Sequence, residues 1–277
     1  MFSLNNFKKQ QKKNFKNINK NILNKKINEY NKKIKEHNEK INEKINQHNE
    51  KVKKYMEYKN KYSPELFDKL SNLQSRLKLD FGTFTDEYPE QMMAVRYLKG
   101  NEKVLEIGGN IGRNSLIISS ILNMNDNNNF VTLESDDEFS KQLIHNKEIN
   151  NLNFYIENSA LSKRNLIQKS WNTIVSDVLL DGYKKVNIIN FEQLKEKYNI
   201  DFDTLVLDCE GAFYYILLDM PEILDNIKLI IMENDYLNES HKKFIDNVLI
   251  EKGFRLDYIE GGGWGHFANN FFEVWKK

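Results

Sequence analysis

Three glycines within five residues, Gly108, Gly109 and Gly112, stand between an apolar run, Val104–Ile107, and a stretch of helical character that begins at Arg113. Glycine lets a chain reverse tightly and lets a ligand come close to the backbone. The helix start beyond it supplies N–H groups that no helical carbonyl takes up. Strand, glycine turn and helix in that order form half of a strand–helix–strand unit, and such units build parallel sheets covered by helices. The turn departs from the dinucleotide pattern, which needs glycine at 108, 110 and 113, because Asn110 and Arg113 hold two of those places. No Gly-Lys-Ser/Thr follows, which excludes a Walker loop. Glu106, inside the strand, repels a pyrophosphate and suits a cationic or zwitterionic ligand; its alternative role is a structural cap for the N–H groups of the turn.

The rest of the body alternates in the same way. Short apolar runs predict strands over 104–107, 130–134, 152–156, 204–207 and 229–233, with helices over 113–122, 136–146, 191–198 and 213–218. Two further strands, 254–260 and 270–275, are joined by a glycine-rich loop, which puts one antiparallel strand into an otherwise parallel sheet. Ahead of the sheet, Ser63 as N-cap and Pro64 in the first turn start a helix over 64–79, and a third helix covers 89–98. Residues 125–129 and 167–183 read as loops. The expected fold is α/β: a doubly wound sheet, mostly parallel, preceded by a long N-terminal helix.

That helix belongs to a segment of opposite charge. Residues 1–60 carry 17 lysines and six glutamates, a net of +11, whereas the remainder carries a net of −10. The two parts are therefore expected as separate domains, 1–62 and 63–277. Residues 1–14 are polar and expected to fray. From Phe15 the apolar positions run Phe15, Ile18, Ile22, Leu23, Ile27, Tyr30, Ile34, His37, Ile41, Ile45, His48, Val52 and Tyr55, a heptad seam with one four-residue insertion near Ile41 and Ile45. A helix of about 45 residues is roughly 65 Å long. So narrow a stripe is not stable alone, so the segment is expected to pair with other copies as a coiled coil. Folding back onto the body, or a basic arm on nucleic acid or an anionic membrane, are the other readings. Asn makes up 39 of 277 residues, which reads as a coding bias without structural content.

The second strand ends in Leu133-Glu134-Ser135-Asp136. Glu134 emerges at the same sheet edge as the glycine turn, where a carboxylate accepts both hydroxyls of a ribose; a charge at a helix N-terminus is the plainer reading. Together these features describe a pocket for a nucleoside with a positive or zwitterionic group, which suits S-adenosylmethionine. At this point the chain resembles the class I S-adenosylmethionine-dependent methyltransferases and, more narrowly, the FkbM family. Glu106-Ile-Gly108-Gly-Asn110-Ile-Gly112 resembles the family's first motif, and Glu134 matches its acidic ribose position. Asn158-Ser159-Ala160 resembles the segment placed near the adenine, although the same residues can simply cap a turn. Leu205-Val-Leu-Asp208-Cys-Glu210-Gly211 resembles the Asp-x-Glu-Gly signature at the fourth strand, and Glu233 fits the fifth. The resemblance covers roughly residues 80–277. Val206 departs from it, since members often carry lysine there.

The resemblance implies an O-methyltransferase acting on a hydroxyl of a sugar, glycan or related small molecule, with S-adenosyl-L-methionine as cofactor. Asp208 and Glu210 are read as lying on one side of an extended strand end, either one a general base, with Cys209 on the opposite face. A magnesium ion shared with Glu233 or Asp235 is the weaker alternative, and no metal site is assigned. His266, in the run Gly261-Gly-Gly-Trp264-Gly-His266, is a second proton-acceptor candidate on a rim loop. The lone Cys209 excludes a disulfide framework and cysteine-based zinc sites. No run of about 18 apolar residues spans a membrane, and a cytoplasmic location is expected. RNA or cap methylation and a non-catalytic nucleotide-binding scaffold are the competing functions. The acidic body makes nucleic acid the poorer partner.

Overall fold

The computed structural model describes residues 2–170 and 172–277, and for residues 2–25, 27, 28 and 30 it describes the helical backbone alone. The chain forms two compact units, Met1–Lys61 and Tyr62–Lys277. The first is one helix, α1 (Phe2–Lys61), which starts well before Phe15. Ile34, Ile41, Ile45 and Val52, the apolar seam positions from Ile34 onward, are all exposed. The seam positions from Phe15 to Ile22 and Leu23, Ile27 and Tyr30 lie outside the described side chains.

The second unit is built on a seven-stranded sheet: β1 (Val104–Ile107), β2 (Phe130–Leu133), β3 (Tyr155–Glu157), β4 (Thr204–Leu207), β5 (Leu229–Glu233), β6 (Arg255–Glu260) and β7 (Phe272–Lys276). Its order is β3-β2-β1-β4-β5-β7-β6, parallel except for β7, which runs antiparallel to both neighbours. This is the class I methyltransferase-like sheet. The helices are α2 (Pro64–Ser75), α3 (Tyr88–Tyr97), α4 (Arg113–Asn123), α5 (Asp137–Ile149), α6 (Phe191–Tyr198), α7 (Ala212–Asp219) and α8 (Glu239–Glu251).

The pleat decides what each face meets. Leu105, Ile107, Leu205, Leu207, Ile230 and Met232 join one buried cluster with residues of α6, α7 and α8. Their neighbours Glu106, Val206 and Glu233 consequently turn to the opposite face, where α3 packs on α2, α4 and β5. Local chemistry fixes the ends of these elements. Ser63 caps α2 by accepting from the Leu66 N–H at 3.4 Å, with Pro64 in the first turn. Asn190 and Gln193 close a capping box on α6.

Three sequence expectations need correction. Residues 167–183 are not a plain loop: Leu166–Lys169 pairs antiparallel with Asn172–Val175 and with Lys184–Lys185. The third strand is displaced from 152–156 to Tyr155–Glu157. Some asparagines of the second unit are structural cross-links. Buried Asn146 donates to the carbonyls of Ile111 (2.9 Å) and Phe81 (3.3 Å) and accepts from the Asp80 N–H (3.1 Å). Asn127 donates to the Glu102 carbonyl at 2.7 Å. Each bond satisfies a loop carbonyl or N–H that has no partner in the ladders.

Candidate functional site

A cavity of about 750 Å³ opens where β1, β2, β4 and β5 end. That is the size of a small-molecule site, at the carboxyl ends of parallel strands, where open α/β sheets bind ligands. Gly108, Asn110, Glu134, Ser159, Asp208 and Glu210 from the sequence reading all line it. The excursion between β3 and α6 supplies another wall through Leu166, Gln168 and Ile174, and Trp264 stands at the rim.

The glycine turn sits on the end of β2: the N–H groups of Gly108 and Gly109 both donate to the Leu133 carbonyl, at 3.0 and 2.9 Å. Asn110 takes a left-handed conformation, φ 47°, and points its backbone N–H at Glu134 Oε2, 2.7 Å away. The Asp136 N–H donates to Oε1 at 2.7 Å. Glu134 is thus held by a backbone donor on each oxygen. Burial raises its pKa. Asn158 donates to the Glu134 carbonyl at 2.9 Å and so holds the strand end in place without lining the cavity. Ser159 donates to Glu157 Oε1 at 3.0 Å.

Glu106 does not reach the cavity. It is 2 % exposed, and its carboxylate accepts from Ser115 Oγ and, at 3.3 Å, from Asn114 Nδ2 at the start of α4. The pleat sends it to that face, where its partners are side chains of α4 rather than the N–H groups of the turn or the cavity. Burial pushes its pKa up to about 7. Gly112 also stands behind the wall, its Cα facing Leu143 of α5. His266 is exposed and faces Glu239, with Nδ1 3.2 Å from Oε1, and it is Trp264 rather than His266 that borders the cavity.

The carboxylates at the floor depart from the expected arrangement. The strand stops at Leu207, and Glu210 and Gly211 are both left-handed, φ 50° and 77°. Asp208 and Glu210 therefore do not share one side of an extended strand. Cys209 packs against the apolar cluster but also lines the cavity. Asp208 turns inward, towards Glu90 of α3 and Glu233 of β5. Burial, then the neighbouring carboxylates Glu87, Glu90, Asp235 and Glu210, hold the Asp208 carboxyl well above the usual range. Glu90 and Glu233 are raised as well, first by burial. Glu87, bound to Arg113 at 2.5 Å, is pushed up to about 7 by burial.

Asp235 is the residue that sequence reasoning undervalued. It is 6 % exposed and lines the cavity. Oδ1 accepts from the Gly211 N–H at 2.9 Å, while buried Oδ2 has no hydrogen-bond partner among the described residues. Burial, then Glu210, pushes its pKa up to about 7. Its signal in the sequence was its place two residues beyond Glu233, an acidic end to an apolar strand. Arg164 is the one basic side chain among the described lining residues, and both its Nε and Nη2 bind Asp219, at 2.5 and 2.6 Å.

No family model and no curated protein matches the sequence. Among solved structures, the chain is similar to the O-methyltransferase from Bacillus cereus in complex with SAH (13 % identity, TM-score 0.44, covering 80 % of this chain and 96 % of that one). It is also similar to ribosomal protein L11 methylase from Lactobacillus delbrueckii (15 %, 0.42, covering 73 % and 83 %). Aeropyrum pernix fibrillarin with bound S-adenosyl-L-methionine is a third similar structure (12 %, 0.40, covering 69 % and 74 %).

Proposed function

We propose that the globular unit is an S-adenosylmethionine-dependent methyltransferase that methylates a hydroxyl of a sugar, glycan or related small molecule, as the FkbM-like signature at Asp208–Gly211 implies. The observation that carries this reading is Glu134: a carboxylate clamped by two backbone N–H groups, at the lip of a cavity floored by the glycine turn. A carboxylate at this strand end suits the two hydroxyls of a ribose. Gly108, Asn110 and Ser159 flank the same wall. The acceptor then lies towards Asp208, Glu210 and Asp235. Six carboxylates line this cavity against one arginine, itself neutralised by Asp219, so a polyanionic acceptor such as RNA meets repulsion.

The chemistry is a single in-line displacement. S-adenosylmethionine, held by Glu134 and the glycine turn, would supply an activated methyl group, and the residues beyond it would hold the acceptor oxygen in line with that group at about 3 Å. The hydroxyl proton goes to the carboxylate of Asp235, which lines the cavity and whose pKa burial raises to about 7. Asp208 and Glu210 position the acceptor, and the 166–175 hairpin and Trp264 keep water away.

The test follows labelled methyl transfer from S-adenosylmethionine to a panel of sugars and glycans. Asp235→Asn keeps the bond to Gly211 and is expected to lower kcat by about 100-fold or more with cofactor affinity unchanged. Cofactor binding with no transfer to any hydroxyl would favour a non-catalytic scaffold. Transfer to RNA, with affinity falling steeply with salt, would favour the nucleic-acid reading.

The first unit supplies assembly in this reading. Ile34, Ile41 and Ile45 are exposed on a 60-residue helix, and burying such a stripe against the same stripe of another copy is what stabilises a coiled coil. Light scattering of the full chain is expected to give a multiple of 32.9 kDa. Removing residues 1–61 should leave a folded monomer. An unchanged chain count after removal contradicts the assembly role.

A further inference from the structure

We infer that Glu90, Asp208 and Glu233 form a binding site for one hard divalent cation beside the cavity, on the side that Asp208 lines. One carboxylate oxygen from each lies within 4.8 Å of the other two. Oxygens that close together can share one ion, since two ligands at roughly 2.0–2.6 Å from a cation are at most about 5 Å apart. The three come from different elements, the first turn of α3, the residue after β4 and the end of β5, so the folded sheet holds them together. All three ligands are oxygens, which selects magnesium, manganese or calcium over zinc or copper.

A second observation points the same way. Glu90 is 6 % exposed, and its Oε2 has no N–H or hydroxyl donor among the described residues; its one close side-chain neighbour is another carboxyl, that of Glu233. A buried carboxylate is costly unless it is paired or coordinates a metal. The guanidinium on this side of the sheet, Arg113, is already held by Glu87 at 2.5 Å with Asp86 at 3.9 Å. Three converging carboxylates thus lack a partner of opposite charge from the described side chains around them. Either a cation binds or the group retains protons. Asp208 lines the cavity, so an ion here faces it and has coordination positions left for water or an acceptor oxygen.

The inference stands apart from the cofactor reading and is tested without S-adenosylmethionine. The full chain, freed of metal with a chelator, is titrated with Mn²⁺ while free ion is followed by electron paramagnetic resonance, and with Mg²⁺ while thermal unfolding is followed. One Mn²⁺ per chain, displaced by Mg²⁺, and a Tm that rises with Mg²⁺ are expected. Glu90→Gln and Glu233→Gln each keep side-chain volume and should weaken Mn²⁺ binding about tenfold or more, with unchanged far-ultraviolet circular dichroism. If one variant fails to fold, the other and the wild-type stoichiometry decide. No bound Mn²⁺ at about 1 mM, or equal affinity in the folded variants, overturns the site. A variant that gains stability while Mg²⁺ leaves the wild-type Tm unmoved would show that the carboxyls share protons instead, and overturns it too.

Discussion

Replacing Glu134 with glutamine lowers affinity for S-adenosylmethionine by about 10- to 100-fold while the chain stays folded. The magnitude follows from hydrogen bonds to a charged acceptor, worth about 1.5–3 kcal/mol each. The carboxylate loses its charge and one of its two acceptor oxygens. The amide also places an N–H₂ group against a backbone N–H that the wild type satisfies, from Asn110 or Asp136, each at 2.7 Å. That mismatch costs about 1–3 kcal/mol of stability, a few degrees in Tm. Titration calorimetry reads the affinity and circular dichroism the fold. Equal affinity in variant and wild type would remove Glu134 from the ribose position.

The largest loss of stability is expected from Gly108→Ala. Gly108 has φ +94°, and a Cβ built there lies 1.6 Å from the Asp208 carbonyl oxygen and 2.7 Å from its carbon. These are backbone atoms, and the Asp208 N–H is itself tied to the Ile107 carbonyl at 3.1 Å. Nothing can rotate aside, so the ends of β1 and β4 must part. Left-handed strain and forced overpacking each cost about 1–3 kcal/mol, a large share of the 5–15 kcal/mol that holds a typical domain together. Gly112→Ala is the matched comparison. It has the same sign of φ, +96°, but its Cβ clashes with the end of the Leu143 side chain, at 2.4 Å, and otherwise makes ordinary contact with Leu116, and a leucine end can turn. Urea unfolding should therefore rank Gly108→Ala clearly below Gly112→Ala. The reverse order would mean that the close approach of the two strand ends is not what requires glycine.

How far the sequence was legible depended on how local the cause is. The β1–turn–α4 unit and Glu134 were readable because a buried strand, a tight reversal and an acidic strand end each leave a pattern within a few residues. The antiparallel β7 was readable from the apolar tail after its glycines. Glu106 was misread for a reason that was available: the two-residue alternation that buries Leu105 and Ile107 among α6–α8 sends Glu106 to α4. Helix α8 was not predicted, although Asn238 as a cap and Phe244, Ile245, Val248 and Leu249 at helical spacing announce it. The 166–175 hairpin was hidden because its second strand is mostly exposed and polar, so pairing rather than an apolar face defines it. Glu90 was beyond reach. Its meaning lies in Asp208 and Glu233, which only the packing of α3 on the sheet brings near.

The central claim is that the cavity at the strand ends takes S-adenosylmethionine. Isothermal titration of the full chain with S-adenosylmethionine and S-adenosylhomocysteine tests it most directly. One site per chain with a micromolar Kd for both ligands, weakened in Glu134→Gln, is the predicted result. No binding of either ligand at about 1 mM would contradict it.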